Sequence, residues 1–162
     1  MLKRIVSLLL ILAGVLSLLA CSEPADYSHA EMRISLPESF SRIEKENYDA
    51  AFSDGRIIVA LLRLSFAAAY NDGIPETMNS NEFARFWMNR SGNDAAVQLY
   101  EGVDYAEYSE EVEGEEYYYV TAFYRSRYAF FVVVFAARAD SEADFRSEIF
   151  EYMTSVSFSD EQ

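Results

Sequence analysis

Residues 128–137 read YAFFVVVFAA, ten positions without a charged or strongly polar side chain. Successive side chains of a strand point to opposite faces of its sheet, so a strand that is apolar at every position must lie mid-sheet with cover on both sides. A sheet with two apolar faces requires a layer on each, and the rest of the chain has to supply them. The material is abundant: 12 Phe, 12 Tyr and one Trp among 162 residues make an aromatic, β-prone composition that argues against disorder.

The neighbours of this run are strand-like too. Segments 97–100, 103–112, 115–124 and 128–138 are separated by Glu101-Gly102, Glu113-Gly114 and Arg125-Ser126-Arg127, which predicts an antiparallel meander of four strands. Earlier, Met32, Ile34 and Leu36 alternate with Arg33 and Ser35 as in a half-buried strand that Pro37 ends, and Phe40 and Ile43 then pack from a loop. Segments 48–53 and 56–66 are joined by Asp54-Gly55, a hairpin signal in which both loop residues are expected at positive φ. Within the second of these, 57–64 is apolar on both faces and reads as another central strand; Arg63 interrupts it and is expected to reach water at the sheet's end rather than pair with a buried acid.

Two helices stand out. Asn79-x-x-Glu82 is a capping box ahead of Phe83, Phe86, Trp87 and Arg90 at helical spacing, closed by Ser91-Gly92. Asp140-Ser141 opens the other, with Ser141-x-x-Asp144 as its cap and Phe145, Ile149 and Tyr152 or Met153 along one side, before 154–158 returns as a short strand. Residues 67–79 read as a loop and 22–30 as a linker. The fold class is therefore α+β, an antiparallel sheet with helices packed on one or both faces.

The chain begins with Lys3 and Arg4, then an apolar run over 5–19, then Leu18-Leu19-Ala20-Cys21. That is the layout of a secretory signal, and the run is shorter than the ~20 residues a membrane span needs. Its end resembles the lipobox of bacterial lipoproteins, with Leu18, Ala20 and Cys21 matching and Leu19 bulkier than usual. The resemblance implies a diacylglyceryl thioether on Cys21 and cleavage before it. Two acyl chains hold a protein stably at a membrane where one does not. The expected organisation is a signal peptide over 1–20, lipidated Cys21 and linker over 21–30, a single domain over 31–158 and a tail over 159–162, lipid-anchored on the extracytoplasmic side of a bacterial membrane.

Loss of residues 1–20 takes Lys3 and Arg4 with it and leaves 11 basic against 27 acidic side chains. Such a surface repels phosphate polymers, so no nucleic-acid partner is expected. Cys21 is the only cysteine and His29 the only histidine, and His29 falls in the expected linker. Disulfides, thiolate or imidazole metal sites and histidine-dependent nucleophiles are thereby set aside, and no phosphate-binding glycine motif or cofactor motif appears.

The early strand ending in Leu36-Pro37 with Phe40 after it, the strand pair 117–124 and 128–135, and the last helix 145–153 leading into Ser155-Val156-Ser157-Phe158 together resemble the PsbP-like fold. That fold is known from an extrinsic photosystem II subunit and from a nuclear-import factor that binds the GTPase Ran. The resemblance covers most of 31–158 and implies an α/β/α sandwich and an interaction role.

Chemistry is concentrated in one hairpin. Glu101, Asp104, Glu107, Glu110, Glu111, Glu113, Glu115 and Glu116 crowd it, interleaved with Tyr100, Tyr105, Tyr108, Tyr117, Tyr118 and Tyr119. The acids read first as a solvated tip that blunts aggregation, and second as a site for a hard cation such as Ca²⁺. Exposed tyrosines flanked by carboxylates offer a surface for sugars or a cationic peptide, and the candidate binding surface comprises Tyr105, Tyr108, Glu107, Glu110 and Trp87. Trp87 reads first as core of its helix and second as a ligand-stacking ring. The first expectation is a non-catalytic binding module for a protein partner, working through its sheet or the 67–79 loop. The alternative is a carboxylate-dependent hydrolase of cell-envelope glycans using two acids from 101–116.

Overall fold

The computed structural model describes residues 24–159, with backbone alone at 24 and 141–144. The expected signal segment, Cys21 and 160–162 lie outside the described residues, as do the side chains of the expected Ser141–Asp144 capping box. The strands are β1 (Pro24–His29), β2 (Met32–Pro37), β3 (Ser41–Ile43), β4 (Ala50–Ser53), β5 (Ile57–Ser65), β6 (Gln98–Tyr100), β7 (Val103–Val112), β8 (Glu115–Arg125), β9 (Ala129–Arg138) and β10 (Ser157–Phe158). The helices are α1 (Phe66–Asn71), α2 (Ser80–Arg90) and α3 (Glu142–Thr154).

A seven-stranded antiparallel sheet in the order β3-β4-β5-β9-β8-β7-β6 forms the middle layer, with β9 at its centre. In β9, Phe130, Phe131, Val133 and Phe135 are completely buried, as a strand covered on both faces requires. One face packs against α3 and a small sheet of order β1-β2-β10; there Ile57, Val59, Val120, Phe131 and Phe135 meet Met32, Ile34, Leu36, Ile149 and Met153. The other face packs against α1 and α2, where Phe123, Phe130 and Val132 meet Ala69, Ile74, Phe83 and Met88. The architecture is an α+β sandwich with helices on both sides. Among the described residues no helix is long and apolar enough to cross a membrane.

Local chemistry accounts for most of the elements. Glu101-Gly102 and Glu113-Gly114 both take positive φ, at 47° and 85° and at 55° and 85°, so each closes a two-residue hairpin with the twist its strands need. The capping box of α2 is complete: the Glu82 amide donates to Asn79 Oδ1 at 2.9 Å and the Asn79 amide to Glu82 Oε2 at 3.0 Å.

Ile43, expected to pack from a loop, ends β3 opposite Ala51; four further expectations are corrected. Residues 24–29, expected as linker, pair with β2 from Pro24↔Pro37 to His29↔Met32. The strand is hard to see in sequence because Tyr27 is its one large apolar side chain; its ring lies 4.8 Å from Phe52 and its hydroxyl donates to the Phe40 carbonyl at 2.6 Å. The 67–79 stretch, expected as a loop, opens with α1, since Ala67–Ala69 favour helix and the Ser65 hydroxyl caps it by accepting the Ala68 amide at 3.3 Å. At Asp54-Gly55 only Gly55 has positive φ, 87°; Asp54 instead accepts the Arg56 and Ile57 amides on its own carboxylate, both at 2.8 Å.

The fourth concerns Arg63, which finds a buried acid. Its Nε donates to Glu31 Oε2 at 2.9 Å, and Glu31 is only 5% exposed. The Ser126 hydroxyl donates to Glu31 Oε1 at 2.8 Å, so one carboxylate ties the β1–β2 turn to β5 and to the β8–β9 turn. Burial works to raise the Glu31 pKa, but Arg63, the residue's own backbone amide and Ser126 together outweigh it and hold the carboxyl below its ordinary range.

Candidate functional site

The β7–β8 register divides the expected binding residues between the two faces of the sheet. Tyr105 stands opposite Ala122, Glu107 opposite Val120, Tyr108 opposite Tyr119 and Glu110 opposite Tyr117. By the two-residue period, Tyr105 and Glu107 face α3 while Tyr108 and Glu110 face the α2 side. Tyr105 is not a surface residue: it is 4% exposed, packs on Phe150 at 5.1 Å and donates to Gln98 Oε1 at 3.1 Å. Glu107 accepts Arg146 Nε at 3.1 Å and the Tyr118 hydroxyl at 2.7 Å. Those bonds overcome the upward push of burial and keep its carboxyl below the usual range. Trp87 is half-buried beside Phe83, with ring centroids 5.8 Å apart, in the helix-side core. Glu110 is exposed.

The other acids are equally dispersed. Asp104 is 5% exposed and accepts Ser80 and Asn81 at the start of α2, the latter at 2.7 Å; Glu115 pairs with Arg138; Glu101, Glu111, Glu113 and Glu116 are exposed. Among the described residues no three acids or other ligating groups converge as a metal site would require.

A cleft lies where α1 and α2 stop short. They cover the half of their face that holds Phe130, Val132 and Phe123, and leave the half nearer the Glu113-Gly114 turn open. The opening is a cleft of about 510 Å³. Its floor is Ile58 and Ala60 from β5 with Val134 and Ala136 from β9; its walls are Tyr117 and Tyr119 from β8 and Tyr48 from the β3–β4 loop. Val112, Glu113, Glu115 and Lys45 complete the rim. Small residues give it depth, because Ala60 and Ala136 remain only 4% and 8% exposed beneath the larger side chains.

Tyr108 stacks behind Tyr119 at 5.3 Å and 15° and shares a 3.3 Å hydrogen bond with Thr121 Oγ1, which fixes the Tyr119 ring from the side. Tyr117 stands 6.4 Å from Tyr119 at 44°. The hydroxyls of Tyr48, Tyr117 and Tyr119 have no hydrogen-bond partner among the described residues. Burial raises the Tyr119 pKa, reinforced by Glu110 and then by Tyr108, Tyr117 and Tyr48; burial and Tyr108 raise that of Tyr48. Both therefore stay protonated around neutral pH, offering a donor as well as lone pairs.

The tyrosine-rich hairpin was legible in the sequence, but Tyr105 proves buried and Glu107 is engaged by Arg146 and Tyr118, both on the face opposite the cleft. The phase of β8 was readable, since Tyr117 and Tyr119 share a face; that Tyr48 joins them from 69 residues upstream was not.

No protein-family model matches the chain, and no curated protein matches it in sequence. Solved structures do. A protein of Bacteroides thetaiotaomicron superposes with a TM-score of 0.60 at 11% identity over 86% of this chain, which spans half the length of that one. Cyanobacterial PsbP (CyanoP) from Synechocystis superposes with a TM-score of 0.50 at 10% identity over 87% of this chain and 95% of its own. LpqN, involved in cell envelope biogenesis of Mycobacterium tuberculosis, gives 0.49 at 11% identity over 85% and 91%. With the antiparallel sheet and helices on both faces already described, the likeness to cyanobacterial PsbP identifies the fold as PsbP-like.

Proposed function

We propose that this is a lipid-anchored, extracytoplasmic binding module that engages a partner protein through the tyrosine cleft. The observation that carries the reading is the cleft itself: three tyrosines whose hydroxyls have no partner among the described residues stand over an apolar floor that the two helices leave uncovered. Exposed aromatic rings over a concave apolar floor are the usual material of a binding site, combining buried area with a polar tip. The anchor rests on the Lys3-Arg4 start, the apolar run and Cys21.

Each half of the proposal has its own test. Cells expressing the wild type and Cys21→Ala are labelled with a radioactive fatty acid; label in the wild type alone is expected, and label in both removes the anchor. A photo-reactive benzoylphenylalanine is then placed at position 48, in the cleft wall, or at exposed Glu38 in the β2–β3 loop, and intact cells are irradiated. A discrete adduct from 48 and none from 38 is expected. Equal yields from both, or none from 48, would remove the cleft as the binding site.

A further inference from the structure

Resting on the cleft as the binding site, we infer that its occupant is cationic: an arginine side chain presented by an extended, basic segment of the partner protein. Charge and ring geometry point the same way. The rim carries Glu113 and Glu115 against Lys45, with Glu110 opposite Tyr117 in the β7–β8 register; Arg138 is already engaged by Glu115 and lies 3.9 Å from Asp140. The whole chain carries a net charge of −14, so a basic segment is attracted from a distance and concentrated at an acidic opening.

Elsewhere the fold shows how this chain receives guanidinium groups. Arg146 lies over Phe150 at 4.3 Å, Arg125 over Phe66 at 5.0 Å, Arg56 over Phe145 at 5.2 Å, Arg127 over Tyr128 at 5.6 Å and Arg63 over Phe131 at 6.0 Å. Among the described residues no arginine lies over Tyr48, Tyr117 or Tyr119. A planar guanidinium can stack on such rings while its N–H groups reach phenol oxygens and rim carboxylates, which a compact ammonium does less well. The three hydroxyls, without partners among the described residues, supply acceptors of that kind, and Tyr108 holds Tyr119 upright to receive it.

Titration calorimetry on the full-length protein in a non-ionic detergent tests this with three probes. They are an octapeptide alternating Arg and Ser, the same peptide with uncharged citrulline for arginine, and a chitin tetrasaccharide. The arginine peptide is expected to bind and the citrulline peptide to bind at least tenfold more weakly. The double variant Tyr48→Leu/Tyr117→Leu keeps apolar area but removes ring faces, and should weaken the arginine peptide about 2- to 30-fold. Should that variant unfold, Glu113→Lys at the exposed hairpin tip, which disturbs no packing, should weaken it as well. Equal binding of arginine and citrulline peptides overturns the inference, as does preference for the saccharide. Undiminished binding to a folded double variant, or to Glu113→Lys, assigns the attraction to acidic surface at large and overturns it too. A position-48 adduct together with any of these failures leaves the cleft as a binding site and removes only its cationic ligand.

Discussion

Tyr118 and Tyr119 are neighbours in β8 that point to opposite faces of the sheet. Tyr118 is 3% exposed and donates to Glu107 at 2.7 Å; Tyr119 is half-buried and its hydroxyl has no partner among the described residues. The contrast runs along each face, except at Tyr108, which shares a hydrogen bond with Thr121 on the cleft side. Towards α3 and the small sheet, Tyr105, Tyr118, Tyr124 and Tyr152 are all buried and all donate, to Gln98, Glu107, the Met153 carbonyl and Glu148. On the helix side, Tyr117 and Tyr119, with Tyr48 leaning in from its loop, bond to nothing among the described residues. Where a second layer closes over the sheet, a phenol must be satisfied inside the protein or cost the fold free energy. Where cover stops, the same residue type stays available to a ligand.

On that distinction, the largest energetic difference lies within the helix-side face itself, between its covered and open halves. Phe83 is completely buried and stacks on Phe130 at 4.4 Å and 17°. Phe83→Ala should cost about 3–5 kcal/mol of unfolding free energy through lost burial and the cavity left behind. Tyr117→Ala, in the open half, should cost less than about 1 kcal/mol. Chemical denaturation of the two variants decides; comparable losses would mean that the cleft is ordinary core.

The layers were legible because they follow from composition and period. Apolar runs at 57–62 and 128–137 demand two-sided cover, and capping signals marked α2, so the sandwich follows from the order of the residues alone. The cleft was not legible, for two physical reasons. Its openness is set by where α2 ends relative to the sheet, which no local signal encodes. One of its walls arrives from a loop whose path depends on β4 pairing with β5, Ala50↔Leu61 to Ser53↔Ile58. Arg63 was misread for a related reason: its partner Glu31 lies 32 residues away, in a turn between two strands of which one reads as linker.

The Glu31–Arg63 pair offers the next test, because it pins the layer whose closure satisfies the α3-side tyrosines. Glu31→Ala should cost about 3 kcal/mol, the lower end for a broken buried pair, since the Arg63 side chain is still 25% exposed. The carboxyl is held below its ordinary value in the fold, so its contribution is fully present above the unfolded pKa of about 4.3 and is lost as the pH falls through the lower folded value. Thermal melts from pH 7 down to pH 2 should show wild-type stability dropping in that window, and Glu31→Gln should flatten part of the drop. A Glu31→Gln profile parallel to the wild type would show that the pair does not secure the layer.

The smallest effect expected is also the one most specific to the cleft. Tyr48 is 37% exposed and its hydroxyl bonds to nothing among the described residues, so Tyr48→Leu should change stability by no more than about 0.5 kcal/mol. Its trace should appear instead on Tyr119, whose pKa is raised first by burial and, more weakly, by Glu110, Tyr108, Tyr117 and Tyr48. Leucine keeps the burial and removes the neighbouring phenol, so Tyr119 should titrate slightly lower in the variant, while Tyr105, raised by burial on the opposite face, should not move. Carbon-detected titration of ring-labelled tyrosines resolves the two. A shift at both residues would report a general loosening, whereas a shift at Tyr119 alone would mean that Tyr48 acts on the cleft wall across the open space a ligand would fill.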